Sequence, residues 1–162
     1  MIAAVVLAAG ASSRYGTTPP KQQVFLPRVL EALRGVDEVV VVTGAHPVDV
    51  DARVVRCAEW EHGPGASLRC GLAALGSEVD AALVVLADGP DLDPRAVERV
   101  VGAWRGEDVL AAAYDGVRLH PVLLARAVWG AVPDEGARGL TAVLVACDDL
   151  RAPGDVDERT GT

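Results

Sequence analysis

Apolar runs alternate with helically spaced apolar positions along most of this chain. Six runs rich in valine, leucine and alanine predict buried strands at residues 2–7, 38–43, 53–58, 81–87, 109–114 and 117–124. Helical spacing predicts helices at 27–33, 67–75, 94–104, 125–130 and 139–147. Uniformly apolar strands that alternate with helices are typical of a mostly parallel sheet between two helical layers. The pattern therefore predicts an α/β fold in three layers, formed by a single domain over 1–162.

Local signals refine three of these elements. Asp115-Gly116 separates two predicted strands and favours a tight hairpin, which adds an antiparallel element late in the chain. Asp93 followed by Pro94 is typical of a helix start, with the aspartate as N-cap and the proline at the first helical position. Ser67 is the expected N-cap of the helix at 67–75.

Composition excludes several classes of protein. The chain has 162 residues, of which 51% are hydrophobic and 23% charged, so it has enough apolar material for a packed core and is not intrinsically disordered. No apolar run approaches the roughly 20 residues that a membrane-spanning helix needs. The apolar first ten residues lack a basic start and read as a buried strand, not a signal peptide. We expect a cytoplasmic protein without a membrane partner.

The charge balance argues against nucleic acid as a partner. Asp and Glu number 23 against 15 for Lys and Arg, which leaves a net charge of -8. A nucleic-acid-binding surface requires a basic stripe, and none is present. The three cysteines, Cys57, Cys70 and Cys147, are odd in number and form no CxxC pair, so we expect three free thiols instead of disulfides or a zinc site.

Small residues and two cations follow the first predicted strand. Ligands of open α/β sheets bind beyond the carboxyl ends of the strands, and small residues there let the backbone approach an anion. The loop at 8–21 also contains Arg14 and Lys21, the only lysine of the chain. This combination suits a polyphosphate, although neither GxxxxGK[ST] nor GxGxxG is present. The alternative is a glycine-rich turn with incidental cations.

A carboxylate follows the strand at 81–87. Asp88 would lie at the same edge of the sheet as the loop at 8–21, where it suits Mg²⁺, which takes one or two protein carboxylates and bridges phosphates. Asp155 and Asp157 form a second acidic pair that can reach the same metal. The alternatives are a solvated turn and an acidic tail.

The segment around Ser67 allows two interpretations. The sequence GASLR at 65–69 begins like the GxSxG nucleophile elbow, but an arginine replaces the last glycine. A hydrolase would also need a base, and the sequence pairs none of the three histidines with this serine: His46, His62 and His120. A hydroxyl and free N–H groups at a helix start would instead contact a base or ribose.

Six blocks in this order resemble the MobA-like nucleotidyltransferases, and most nearly the molybdenum cofactor cytidylyltransferases. The blocks are LAAG at 7–10 with Arg14 and Lys21, WEHGPGASLRCG at 60–71, ADGP at 87–90, LHPVL at 119–123, GARGL at 136–140 and DVD at 155–157. The chain departs from the family pattern at Gly89, where a glutamine is usual, near Cys57, where an asparagine is usual, and in its shortened tail.

The resemblance implies a Rossmann-like fold and an activity. A phosphate oxygen of an acceptor would attack the α-phosphorus of a nucleoside triphosphate, and pyrophosphate would leave. The implied roles are nucleotide binding by Leu7, Ala8, Ala9, Gly10 and Ser67, charge neutralisation by Arg14 and Lys21, Mg²⁺ binding by Asp88 and Asp157, and acceptor contact by His120.

The resemblance favours CTP as donor, because Ala9 and the blocks around Ser67 and His120 match the cytidylyl enzymes. The implied acceptor is a phosphorylated small molecule: molybdopterin, or a sugar or alcohol phosphate. An alternative is a non-catalytic nucleotide-binding or cofactor-handling protein that contacts a molybdoenzyme. A small hydrolase using Ser67 is the third possibility.

Overall fold

The computed structural model describes residues 1–9 and 21–154, and the side chains of all of these except 21–24. Within them, seven strands form one sheet: β1 (Ile2–Ala8), β2 (Glu38–Thr43), β3 (Arg53–Arg56), β4 (Ala81–Leu86), β5 (Val109–Tyr114), β6 (Val117–Ala125) and β7 (Val143–Ala146). The helices are α1 (Lys21–Ala32), α2 (Pro64–Ala73) and α3 (Pro94–Ala103), with short 3-10 turns at Trp60–His62, Arg126–Ala131 and Ala137–Gly139.

The sheet has the order β3-β2-β1-β4-β6-β5-β7. The pairs β1–β2, β1–β4, β2–β3 and β5–β7 are parallel, and β6 runs antiparallel to both of its neighbours. The prediction of an α/β fold with a mostly parallel sheet and a late antiparallel hairpin is therefore confirmed. This hairpin turns through Asp115 and Gly116, whose φ angles of 52° and 81° are those of a tight primed turn.

Two apolar layers hold the helices on the sheet. Leu26 of α1 and Val100 of α3 are fully buried on one face, and Leu68 of α2 is fully buried on the other. Strand β1 has both faces covered, which is why its sequence is apolar at every position instead of alternating. None of the helices in the described ranges is both long and apolar enough to cross a bilayer.

Several element boundaries differ from the prediction. Helix α1 begins at Lys21, six residues before the predicted start, and includes Pro27. Helix α2 begins at Pro64 with Gly63 as N-cap, so Ser67 lies inside the first turn and is not the cap. Helix α3 follows the prediction, because the Asp93 carboxylate accepts a hydrogen bond from the Arg95 N–H at 2.8 Å.

The predicted helix at 139–147 is wrong. Its apolar run is strand β7, which pairs along β5 from Leu110 with Val143 to Ala113 with Ala146. Four consecutive residues rich in valine suit an edge strand, and backbone pairing with β5 satisfies their polar groups. The predicted helix at 125–130 is a 3-10 turn.

The expectation of three free thiols is also wrong. Cys57 and Cys70 form a disulfide with their Cα atoms 5.9 Å apart, whereas Cys147 is free and buried. Helix α2 packs against the sheet beside β3, and this packing brings Cys57 and Cys70 together although they are 13 positions apart. The number of cysteines alone did not indicate this contact.

Candidate active site

A cleft of about 480 Å³ opens beyond the carboxyl ends of β1 and β4. Strand β6 runs antiparallel to β4 with Val122 opposite Val84, so its first residues extend past the end of β4 and form one wall. The lining is mostly apolar and includes Leu7, Leu86, Leu119 and Val122. The carboxyl edge thus carries the chain's candidate site, as expected for a sheet of this kind.

Two arginines bring positive charge to this apolar cleft. The Arg118 guanidinium donates hydrogen bonds to the carbonyl oxygens of Leu140 at 2.6 Å and Ala137 at 2.8 Å. Its burial lowers the pKa of Arg118, because the charged form is partly desolvated. These bonds fix the segment that carries Arg138, an exposed side chain with no ion-pair partner in the described part of the chain. Glu135 also lines the cleft but pairs with neither arginine.

His120 lies in the same wall with its imidazole half-buried. Tyr114 donates a hydrogen bond to its carbonyl oxygen at 2.9 Å, which fixes the backbone there. Burial lowers the pKa of His120 to about 4, and the neighbouring Asp88 carboxylate only partly opposes this shift. The imidazole is therefore neutral at pH 7 and can both donate and accept a hydrogen bond.

Asp88 lies in the turn that follows β4, beside the returning C-terminal segment. A Cβ atom placed on Gly89 would be 3.1 Å from the Gly154 carbonyl oxygen, and one on Gly154 would be 3.3 Å from the Asp91 carboxylate. Packing against 153–154 therefore accounts for glycine at position 89, where the resembling family has glutamine. Gly154, which lies beside this turn, is three residues before Asp157 in the sequence.

The start of α2 is clamped to the segment at 132–136. The Gly65 N–H donates to the Asp134 carbonyl oxygen at 2.8 Å, and a Cβ on Gly65 would lie 1.8 Å from the Pro133 carbonyl oxygen. Arg69 adds hydrogen bonds to the Val132 carbonyl and the Asp134 carboxylate. The Gly65 N–H is therefore committed to the protein, unlike the free helix-start groups expected from the sequence.

Ser67 is only 2% exposed, and its hydroxyl has no hydrogen-bond partner within 1–9 and 25–154. One turn later, Gly71 packs directly over β1 and β2, where an added Cβ would be 2.6 Å from Val5 and 2.8 Å from Val42. Ser67 therefore lies toward the carboxyl end of β1. No histidine is hydrogen-bonded to it, so the described residues offer no Ser–His pair for a hydrolase.

The structure brings most of the predicted residues to one edge of the sheet. Leu7 lines the cleft, and Ala8 and Ala9 are buried at the end of β1. Ser67, Asp88 and His120 lie around them. Lys21 begins α1, and its side chain is outside the described residues, as are Gly10, Arg14 and Asp157.

Sequence reasoning missed Arg118 and Arg138 as site residues. Arg138 lay in a block that carried the family resemblance, but it received no role. Arg118 had a usable signal, because it is a charged residue inside a predicted strand that is otherwise mostly apolar. Its position in the cleft depends on the antiparallel pairing of β6 with β4.

Comparisons with known proteins agree with this architecture. The model of the MobA-like NTP transferase domain matches residues 4–150. The crystal structure of Rv0371c from Mycobacterium tuberculosis superposes with a TM-score of 0.78 at 28% identity, covering 97% of this chain and 93% of that one. A complex of that protein with manganese gives a TM-score of 0.73 at 26% identity, covering 96% and 92%.

A nucleotidyl transferase from Methanothermobacter gives a TM-score of 0.70 at 25% identity, covering 91% of this chain and 88% of that one. No curated protein matches the sequence. Because the family model spans nearly the whole chain and the fold agrees with it, this chain belongs to the MobA-like NTP transferase family and is a nucleotidyltransferase.

Proposed function

We propose that this protein transfers a nucleoside monophosphate, CMP from CTP, to a phosphorylated acceptor and releases pyrophosphate with the help of Mg²⁺. The observation that carries the proposal is the cleft, where two arginines with no carboxylate partner among the described residues line apolar walls beside the end of β1. An apolar pocket with a few converging polar groups is typical of a small-molecule site.

Different parts of the carboxyl edge of the sheet would bind the nucleotide and the acceptor. The segment from Leu7 to Gly10, in which Ala8, Ala9 and Gly10 are small, suits the triphosphate together with Arg14 and Lys21, while Ser67 suits the base. The buried Ser67 hydroxyl supports this role, because it has no hydrogen-bond partner among the described side chains and backbone, and a buried polar group gains a hydrogen bond when a ligand supplies one.

The cleft suits the acceptor. Guanidinium groups form paired hydrogen bonds with phosphate oxygens, a role open to the exposed Arg138, while Arg118 holds the loop and adds charge. The neutral His120 can hydrogen-bond a polar substituent. The mostly apolar walls favour a flat ring system, such as the fused rings of molybdopterin, over a hexose phosphate, which carries hydroxyls around its ring.

The donor set at the edge fits Mg²⁺, although no group of three metal-ligating side chains occurs within the described residues. Mg²⁺ needs only one or two carboxylates besides water and phosphate oxygens. Asp88 would supply one, and Asp157 is separated from Gly154 by about 10 Å of chain at most. When bound, Mg²⁺ would orient the phosphates and withdraw charge. The manganese complex of Rv0371c supports a divalent cation here.

The chain's own residues then act by position and charge. An acceptor phosphate oxygen forms a bond to the α-phosphorus as the bond to pyrophosphate breaks, and no protein nucleophile is needed. Arg14 and Lys21 neutralise charge on the leaving group. Because the net charge of -8 does not attract an anionic substrate over a long distance, these local cations supply the attraction at the site.

Calorimetric titration with CTP, GTP, ATP and UTP, each with and without Mg²⁺, tests the donor side. We expect Mg²⁺-dependent binding of CTP in preference to the others, and its loss in Lys21→Ala. Pyrophosphate release is then measured with molybdopterin, sugar phosphates and alcohol phosphates. No nucleotide binding, with or without an acceptor present, would contradict the proposal.

A second candidate is a nucleotide-binding protein that hands cofactor to a molybdoenzyme without catalysis. The packing of Gly89 against 153–154 favours it, because this chain has no side chain where the resembling enzymes have glutamine. It predicts nucleotide binding without pyrophosphate release for every acceptor.

A further inference from the structure

The three tryptophans of the chain have different surroundings. Trp104 donates its indole N–H to the Glu107 carbonyl oxygen at 2.9 Å, and Trp129 donates to the Leu124 carbonyl oxygen at 3.0 Å. Each also packs against one of the two apolar layers. Trp60 belongs to neither layer, and its indole N–H has no hydrogen-bond partner within the described ranges. Core packing therefore explains two tryptophans but not the third.

Trp60 lies at the carboxyl edge on the β1–β2 side. It begins the 3-10 turn that precedes α2, and its side chain crosses the backbone at Gly44, the residue after β2. A Cβ on Gly44 would be 2.4 Å from Cγ of Trp60 and 2.7 Å from the Ala9 carbonyl oxygen. The half-buried indole thus borders the point where β1 enters the loop at 8–21.

We propose that the Trp60 indole is the surface on which the base of the nucleotide stacks, an inference that rests on the proposed function. A planar aromatic side chain held against backbone at Gly44 is already ordered, so a base gains contact with little loss of side-chain freedom. Every base has an aromatic face, so stacking tolerates all four bases. Trp60 therefore contributes affinity for CTP and GTP alike, and base choice resides elsewhere.

The first test uses the native Trp60 as a fluorescent probe. Replacing the other two tryptophans (Trp104→Phe with Trp129→Phe) leaves Trp60 as the only one in the chain. We expect saturable quenching by CTP and by GTP with Mg²⁺, at the dissociation constants that calorimetry gives for the same variant. The matched control retains only Trp129 (Trp60→Phe with Trp104→Phe) and should show no saturable change.

The second test measures affinity directly. Trp60→Ala should weaken the binding of CTP and GTP by a similar factor of about 10- to 100-fold. Trp60→Phe keeps an aromatic face and should retain most of the affinity. Circular dichroism and thermal unfolding establish that each variant is folded.

The outcomes separate this inference from the proposed function. If the wild type and Trp60→Ala bind nucleotide equally, or if bound nucleotide leaves Trp60 fluorescence unchanged, the stacking role is overturned while nucleotide binding stands. If the wild type binds no nucleotide, the proposed function fails and the stacking role fails with it. Similar weakening for both nucleotides, together with quenching confined to Trp60, supports the inference.

Discussion

Arginines in two regions of this molecule have opposite environments. In a cluster of ion pairs beside α3, Arg95 lies 2.8 Å from the Asp93 carboxylate and Arg99 lies 2.7 Å from the Asp149 carboxylate. In the cleft, the partners of Arg118 among the described residues are two neutral carbonyl oxygens, and Arg138 has no ion-pair partner among them. The pKa values show the same contrast, since the Asp149 carboxylate raises that of Arg99 whereas burial lowers that of Arg118.

The contrast separates arginines that are paired with carboxylates in the fold from arginines that we propose bind a ligand. The chain has 23 acidic residues for 15 basic ones, so a cation without a carboxylate partner among the described residues does not result from a shortage of carboxylates. Leaving a guanidinium partly buried without a counter-charge opposes folding, because the charged form loses solvation. A partly buried cation in a cleft, with its pKa perturbed by burial, is a candidate for a functional site.

The largest effect should come from Asp88 at the end of β4. Asp88→Asn keeps the size of the side chain but removes the charge proposed to hold Mg²⁺, and we expect kcat to fall by about 100- to 1000-fold. Asp91→Asn changes a carboxylate in the same turn, one near Arg28 and Arg151, and should retain near-normal turnover. Equal losses in both variants would show that the turn matters and not the Asp88 charge.

The next effect separates the two arginine environments directly. Arg138→Ala should raise the KM for the acceptor by about 10- to 100-fold, as expected for one lost charge-assisted hydrogen bond, and leave nucleotide affinity unchanged. Arg99→Ala removes the same type of charge from the cluster and should leave the acceptor KM unchanged. Steady-state kinetics that show no difference between these variants would contradict the assignment of the cleft to the acceptor.

The central fold was predictable because its signals are local. A strand buried on both faces must be apolar throughout, so β1, β2 and β4 stand out in the sequence. The helix start at Asp93 and the Asp115-Gly116 turn likewise depend on adjacent residues. Strand β7 was misassigned because its neighbour β5 is about 30 residues away along the chain, and helical spacing outweighed four residues of strand preference.

Fold position predicted candidate site residues where a residue follows a strand directly, whereas Ser67 and His120 were predicted from the family resemblance. Asp88 and Ala9 were predicted as candidates because the carboxyl ends of parallel strands meet at one edge. Arg118 reaches that edge through antiparallel pairing, and the clamp between Gly65 and Pro133 joins segments almost 70 residues apart. The charge of Arg118 inside an apolar strand is a local signal, but its position in the cleft and the contact between Gly65 and Pro133 depend on tertiary pairing.

The third prediction concerns the free energy of unfolding and not the acceptor KM. Reducing the Cys57–Cys70 disulfide removes a constraint over a separation of 13 residues, and the free energy of unfolding should fall by about 2–3 kcal/mol. Urea unfolding with and without reductant measures this change, and the acceptor KM should not follow it. Thiol titration of the unfolded, unreduced protein should find one thiol, Cys147. Three thiols would show that the disulfide does not form.

The last two predictions separate the two regions by the pH dependence of the free energy of unfolding. The pKa of His120 is about 4, below its ordinary 6.5, so the unfolded chain takes up a proton first as the pH falls. The free energy of unfolding should therefore decrease between pH 6.5 and 4. Arg99 lowers the pKa of Asp149 to about 2 from 3.8, so the stability from that pair persists above pH 4 and is lost between pH 4 and 2.

Two variants distinguish these contributions in urea unfolding measured from pH 2 to 8. His120→Gln should remove the decrease between pH 6.5 and 4, and Arg99→Ala should remove part of the decrease below pH 4. The Arg99 effect should be the smaller, because that pair is exposed and solvent screens it. If His120→Gln leaves the upper window unchanged, the imidazole is not buried in its neutral form. It would then be charged near pH 6, and the cleft would present a third cation to the acceptor.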